Sequence, residues 1–369
     1  MCMIIGGEQI MKKSTKVKLI IILLTPLTII LNIITRRFPG FVEKYYSTYI
    51  NKYIREALNS LSGLVKFSLG EILFYILVIM LVILVIKVLI SIIKRNFLKD
   101  LLNLGVFLSV LYVLFMVLWG FNYNRMSLDK IINVKVEKSS EKDLYALCED
   151  LASKASLLRE KVQENSQGVT ILPKGYKEAF IRAYKGYSAA SDIFPVFAGK
   201  YAHPKVILSS PKMSYTGIGG VYMPYTGEAN VNVNSPEFMI PSTATHEMAH
   251  QRGFAREDEA NYIAYLTCTL HPDNDFKYSG VMLALVHSIN ALADKNMEDY
   301  KKIASKLSPG VKRDLKYQSE FWEKYEGKIE KISNNVNDNY LKSNGQSDGV
   351  ESYGRMVDLL LAEFKAKNP

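Results

Sequence analysis

His246, Glu247 and His250 stand in the pattern H-E-x-x-H, as His246-Glu247-Met248-Ala249-His250, in a chain of 369 residues that holds only five histidines. Residues four apart stack on one face of a helix, so both imidazoles can point at a single ion while Glu247, beside them, reaches a water on that ion. Zinc suits two neutral imidazoles plus a carboxylate and keeps a fourth position open for water. The ion would lower the pKa of that water toward neutrality, Glu247 would take its proton, and the hydroxide would attack a polarised carbonyl. That is the chemistry of peptide-bond hydrolysis. With so few histidines, accidental occurrence of the pattern is on the order of a few in a thousand, which disfavours an ordinary amphipathic helix carrying two unrelated histidines.

A third ligand must lie nearby. Gly253 allows the chain to reverse just past the helix end, and Arg256-Glu257-Asp258-Glu259-Ala260-Asn261 opens a second helix. Glu257 is the candidate, because Asn261 lies four residues on along the same face, where its amide can orient a ligating histidine. Glu259 points away from Glu257 on a helix and stays as the alternative. Acids in a first helical turn also answer to the helix dipole, which accounts for whichever of the two is not a ligand. Three residues beyond Gly253, where metzincins place a third histidine, this chain has Arg256, so a glutamate-ligand zincin is favoured. His203, His271 and His287 lack ligand spacing and read as structural, His271 as a helix end before Pro272.

The elements that must position these residues are mostly helical. Residues 140–163 open with Ser140 and Asp143 at capping-box-like spacing and repeat Leu144, Leu147 and Leu151 at helical intervals; 176–190 read as a second helix. Three short β-branched or aromatic runs, 206–208, 221–223 and 231–233, are divided by Ser-Pro, Gly-Ile-Gly-Gly and Thr-Gly, which predicts a small sheet. Helices follow over 242–252, 256–270, 276–295, 298–307, 311–339 and 350–367. The expected fold class is α+β, mostly helical: three N-terminal transmembrane helices followed by a soluble zincin-like domain with a small sheet.

The charge divides along the same line. Residues 1–123 hold 14 Lys and Arg against five Asp and Glu, while 124–369 hold 32 against 31, so the formal charge of +10 resides almost wholly in the first third. Nucleic-acid binding would need basic residues clustered on a folded domain. Here they flank long apolar runs, so the expected partner is a lipid bilayer and no nucleic acid. Spans are expected at about 17–35, 72–93 and 101–123, with Pro26 tolerated as a kink, Lys87 snorkelling, and Trp119 and Tyr123 as an interfacial aromatic belt. The first span is long for a signal peptide and lacks an obvious small-residue cleavage site, so it is read as retained. Lys12, Lys13, Lys16 and Lys18 before the first span, with Lys94, Arg95 and Lys99 between the second and third, place the N-terminus in the cytoplasm and 124–369 outside; the basic loop 36–71 would then also lie outside. Cys148 and Cys268 either form one disulfide or remain two buried thiols.

The run Tyr222-Met223-Pro224-Tyr225-Thr226-Gly227-Glu228-Ala229-Asn230-Val231-Asn232, the run His246 to Phe254 and the run Arg256 to Asn261 together resemble a bacterial family of membrane proteins known as domain of unknown function 3810. The resemblance extends to Leu118-Trp119-Gly120-Phe121-Asn122-Tyr123, to Ser352-Tyr353-Gly354-Arg355 and to Val357-Asp358-Leu359-Leu360. It implies a zinc peptidase in a bacterial cell membrane. Arg-Glu-x-Glu-Ala-Asn also resembles the Arg-Glu-Tyr-x-Ala-Asp segment of gluzincin peptidases, in which the first Glu binds zinc, and that match implies Glu257 as the ligand. Asn261 departs from the usual Asp, so its hydrogen bond to a ligand would be weaker.

Two further groups are candidates. The strand around 225–233 precedes the motif helix, where zincins hold extended substrate against an edge strand, so Glu228, Asn230 and Asn232 are expected along the cleft. Tyr353 and Arg355 are candidate donors to a developing oxyanion, with helix packing as the alternative role. The expected activity is a membrane-anchored, zinc-dependent peptidase acting on a peptide or protein in the cell envelope or outside. The alternative is a non-catalytic metal-binding sensory or binding ectodomain.

Overall fold

Apolar runs of hydrocarbon length form helices because a helix satisfies its backbone N–H and C=O groups internally. Three helices are long and apolar enough to cross a membrane, Ser14–Thr35, Leu69–Ile93 and Leu98–Leu118. The structure is a computed structural model that describes residues 2–95, 97–346 and 348–368; the side chains of 2–13 and 352–354 lie outside the described residues. The third apolar helix stops short of the predicted Tyr123 and tightens into a 3-10 turn, Gly120–Asn124. Trp119 and Tyr123 are therefore not an exposed belt: both are buried, and their rings meet edge to face at 6.3 Å.

Contacts divide the chain into two units, Met1–Ile54 with Leu69–Arg125, and Arg55–Ser68 with Met126–Pro369. In the first, polar side chains tie apolar helices together: Ser109 Oγ donates to the Ile21 carbonyl at 2.8 Å and lies 2.6 Å from Thr25 Oγ1. Arg125 holds Glu43 through two bonds of 2.8 and 2.7 Å. Residues 36–71, expected as a loop, contain a π-helical turn, Val42–Ile50, and a helix, Asn51–Ser62. That helix escaped apolar-periodicity reasoning for a physical reason: its buried face is polar, made of Asn51, Arg55, Asn59 and Ser62.

In the second unit, Ser140 and Asp143 close a reciprocal capping box at the start of the helix Glu141–Arg159. Leu144, Leu147, Leu151 and Ala155 recur at helical spacing and are buried. They pack on the 22-residue helix Asn274–Lys295, whose other side meets the helix Glu257–Leu270, which in turn packs on the motif helix Ile240–Gln251. Two predicted helices are interrupted. The 176–190 helix is divided at Ala183, and 311–339 is divided into Pro309–Glu323 and Lys328–Ser343. The predicted 350–367 helix begins as a 3-10 turn, Gly349–Arg355, before Met356–Lys367. Cys148 and Cys268 are buried free thiols. His271 ends its helix, with its ring stacked on Phe276 at 3.8 Å.

The sheet has three strands, β1 (Lys205–Val206), β2 (Gly220–Met223) and β3 (Glu228–Val231), in the order β1-β3-β2. β3 runs parallel to β1 and antiparallel to β2, with Gly220 opposite Val231 and Met223 opposite Glu228. All four β3 residues are buried, so β3 is the interior strand and β2 an edge.

One buried carboxylate joins three elements of this unit. Asp314 accepts hydrogen bonds from Arg159 Nε at 2.8 Å, the Thr170 N–H at 2.9 Å, Thr170 Oγ1 at 2.6 Å and the Tyr278 hydroxyl at 2.6 Å. Removing one partner of a buried ion pair strands the other charge, at a cost of about 3–5 kcal/mol. Asp314→Ala is expected to lower unfolding stability by about that amount, read by chemical denaturation of the detergent-solubilised chain; a loss near zero would contradict this role.

Candidate metal centre and cleft

The i, i+4 spacing on the motif helix brings the His246 and His250 rings to 4.7 Å between centroids, nearly perpendicular at 89°. Glu257, first residue of the next helix, turns its carboxylate onto both. Its Oε2 lies 3.1 Å from His246 Nε2 and 3.5 Å from His250 Nε2. One ligand atom from each of the three residues falls within 4.8 Å of the others, a set able to hold one metal ion. The Phe254 carbonyl lies 2.6 Å from His250 Nδ1; a carbonyl only accepts, so Nδ1 carries a proton and Nε2 is the nitrogen turned toward Glu257.

Glu247 is 3% exposed, and its Oε2 has no hydrogen-bond partner among the described residues. Burial pushes its pKa up to about 7, against the opposing pull of His246 and His250. Burial opposes charge on His250 as well, but Glu257, Glu247 and the Phe254 carbonyl outweigh it and hold that pKa up at about 9. Burial likewise opposes charge on Glu257, yet the two histidines overcome it and hold its carboxyl well below the usual carboxylate range. His287, on the helix Asn274–Lys295, is pushed down to about 4 by burial and by His246, so it is neutral.

A cavity of about 350 Å³ opens on His246 and Glu247. One wall is Gly217–Gly220, entering β2; Ser242 and Thr243 come from the motif helix, Asn261 and Leu283 from the next two helices, and Asn334 and Asn337 from Lys328–Ser343. Among the described residues its ionisable lining is His246 and Glu247. A Cβ on Gly220 would sit 2.5 Å from Glu247 Oε1, so glycine there is what lets the strand lie against the carboxylate. The Asn232 N–H donates to the Gly219 carbonyl at 2.8 Å. By antiparallel alternation the backbone N–H and C=O of Gly220 therefore point away from β3, toward the open edge of the sheet.

Several expected site residues lie elsewhere. Glu259 is no ligand: its Oε1 accepts from the Leu128 N–H at 2.8 Å and from Arg256 Nη1 at 2.6 Å, because the helix turns it away from Glu257. Glu228 is paired with Lys205 and accepts from Thr226 Oγ1 at 3.0 Å. Asn230 Nδ2 donates to the Glu228 carbonyl at 3.2 Å, and Asn232 Nδ2 to the Ile218 carbonyl at 3.1 Å. These three belong to or follow the interior strand, so they brace the sheet and do not line the cavity. Arg355 bonds Asp348 at 2.9 Å and lines a neighbouring cleft with Asp258 and Gln346, not the cavity beside His246 and Glu247. The side chain of Tyr353 lies outside the described residues. Asn261 does line the cavity, while the bond that orients His250 comes from Phe254.

Sequence reasoning missed Gly219, Gly220, Asn334 and Asn337. The Gly-Ile-Gly-Gly run was legible only as punctuation between strands, and no local signal marked the two asparagines.

A family described as "Protein of unknown function (DUF3810)" matches residues 46–361, and the chain belongs to it. No curated protein and no solved structure matches the chain.

The titrations above fix a pH dependence for the metal-free protein. Glu247 binds its proton more tightly folded than at its ordinary 4.5, so the stability it contributes is lost as pH rises through about 7. His250 is likewise raised from 6.5, and its contribution is lost as pH rises through about 9. In chelator these two groups lower the Tm as pH rises, opposed below about pH 6.5 by His287, whose depressed pKa adds stability as pH rises toward that value. The Tm is therefore expected to fall from about pH 6.5 to 9, less steeply at the lower end in Glu247→Gln and at the upper end in His250→Ala; a Tm that is flat or rises over this window contradicts the assignment.

Proposed function

We propose that the chain is a membrane-anchored, zinc-dependent peptidase of gluzincin type, acting on a peptide or protein in the bacterial cell envelope or outside. The observation that carries the reading is the convergence of His246, His250 and Glu257 beside a buried Glu247 oxygen that lacks a partner. Two imidazoles and one carboxylate fit a zinc ion with an open position, and the orphaned Glu247 Oε2 fits a base that awaits a water. A zinc ion there supplies Lewis acidity, acidifying water and polarising a carbonyl.

The chain's own residues do the rest. An extended peptide pairs with the Gly220 N–H and C=O on the free edge of β2, which lays its backbone across the cleft beside Glu247. Glu247 Oε2 takes a proton from the attacking water and passes it to the departing amine nitrogen, so the base of the first step is the acid of the second. Apart from His246 and Glu247 the described lining is uncharged, with the amides of Asn334 and Asn337 in it, which suits uncharged side chains next to the scissile bond.

The flanking charges support an orientation with the N-terminus in the cytoplasm and the zinc site outside. Lys12, Lys13, Lys16 and Lys18 precede the first apolar helix, and Lys94, Arg95 and Lys99 sit between the second and third.

Glu247→Gln separates catalysis from metal binding. With quenched-fluorescence peptide libraries and the full chain in detergent, hydrolysis is expected to fall roughly a hundredfold or more while zinc content is unchanged. Equal hydrolysis by wild type and variant would overturn the assignment.

A further inference from the structure

Arg55 takes no part in the H-E-x-x-H chemistry, yet it contacts the end of the helix that carries the motif. It is 2% exposed and lies between the first two apolar helices in sequence, yet it belongs to the unit that carries the metal ligands. Its Nε donates to the Gln251 carbonyl at 3.0 Å and its Nη2 to the Arg252 carbonyl at 3.1 Å. These are the last residue and the C-cap of the motif helix, where carbonyls have no intrahelical partner and a cation is favoured by the helix dipole.

The chain then reverses at Gly253, with φ +82°, and a Cβ there would lie 2.3 Å from Arg55 Nη1. The Gly253 N–H returns to the His250 carbonyl at 2.8 Å, and the next residue, Phe254, supplies the carbonyl that orients the His250 ring. One turn further along the same helix, Asn59 Nδ2 donates to the Gly227 carbonyl at 2.7 Å, in the turn that joins β2 to β3. A single helix face thus grips the end of the metal-binding helix and the turn of the hairpin that supplies the cleft edge.

We infer that Arg55 is a positioning residue for the metal centre: it fixes the 251–254 turn so that the Phe254 carbonyl aims His250 Nε2 at the ion, and Asn59 holds the substrate strand in register with it. This rests on the zinc reading above. The catalytic unit then includes a segment from between two membrane-crossing helices and is not confined to the residues after the third. The planar guanidinium reaches two carbonyls at once; an ammonium cannot reproduce that fork.

The test uses the full chain in detergent, loaded with Co²⁺ in place of zinc, and compares wild type, Arg55→Ala and Arg55→Lys. Loss of a residue that orients a ligand weakens metal affinity roughly tenfold to a hundredfold. Arg55→Ala is expected to lose Co²⁺ affinity by that factor and to shift the visible absorption of the bound ion, with Arg55→Lys in between. Should Arg55→Ala fail to fold, Arg55→Lys decides alone. A lower Tm with wild-type Co²⁺ affinity and spectrum would mean a purely structural brace and overturn the inference. A wild type that binds neither Co²⁺ nor zinc overturns the metal reading itself, and the inference with it.

Discussion

Two carboxylates and two imidazoles packed into one small volume, all but His246 buried, are the constraint from which the rest of this site follows. Glu247 and Glu257 repel each other, and burial penalises the charge on each. The histidines offset this fully for Glu257, which stays ionised; Glu247, whose Oε2 has no hydrogen-bond partner among the described residues, is relieved less. Two acids on adjacent helices are thus driven apart in proton affinity. One becomes a permanent anion suited to bind a cation, the other a proton acceptor near neutrality.

Such a cluster stays assembled only if the backbone around it cannot relax, and the described contacts supply that rigidity from three directions. The motif helix is held at its C-terminal end by Arg55. Gly220 brings β2 against Glu247 with no intervening side chain. Leu128 and Arg256 hold Glu259 on the far face of the helix that begins with Glu257, so the rotation that removes Glu259 as a ligand also presents Glu257. The interior strand β3 contributes nothing to the cavity directly: its Glu228–Lys205 pair and its asparagine bonds keep the edge strand in place.

Local chemistry was readable from the sequence where it depends on neighbours in the chain. The H-E-x-x-H spacing placed both histidines on one helical face, the Ser140 capping box opened its helix as expected, and the apolar runs became three helices of membrane-crossing length. Contacts between distant segments were not readable. Arg55 and Asn59 lie on a helix whose buried face is polar, so apolar periodicity had nothing to register. The same blindness sent Glu228, Asn230 and Asn232 to a cleft. They alternate as an edge strand would, and only the pairing order β1-β3-β2 reveals that their strand is interior. Asn334 and Asn337 face the cavity because the helix Lys328–Ser343 packs beside the segment Ser214–Thr216 that leads into β2, a tertiary fact with no local signature.

The central claim is that His246, His250 and Glu257 form one zinc site, and metal analysis of the purified full chain against His246→Ala tests it most directly. The account predicts about one zinc per chain in the wild type and essentially none in the variant. Equal zinc in both would contradict it.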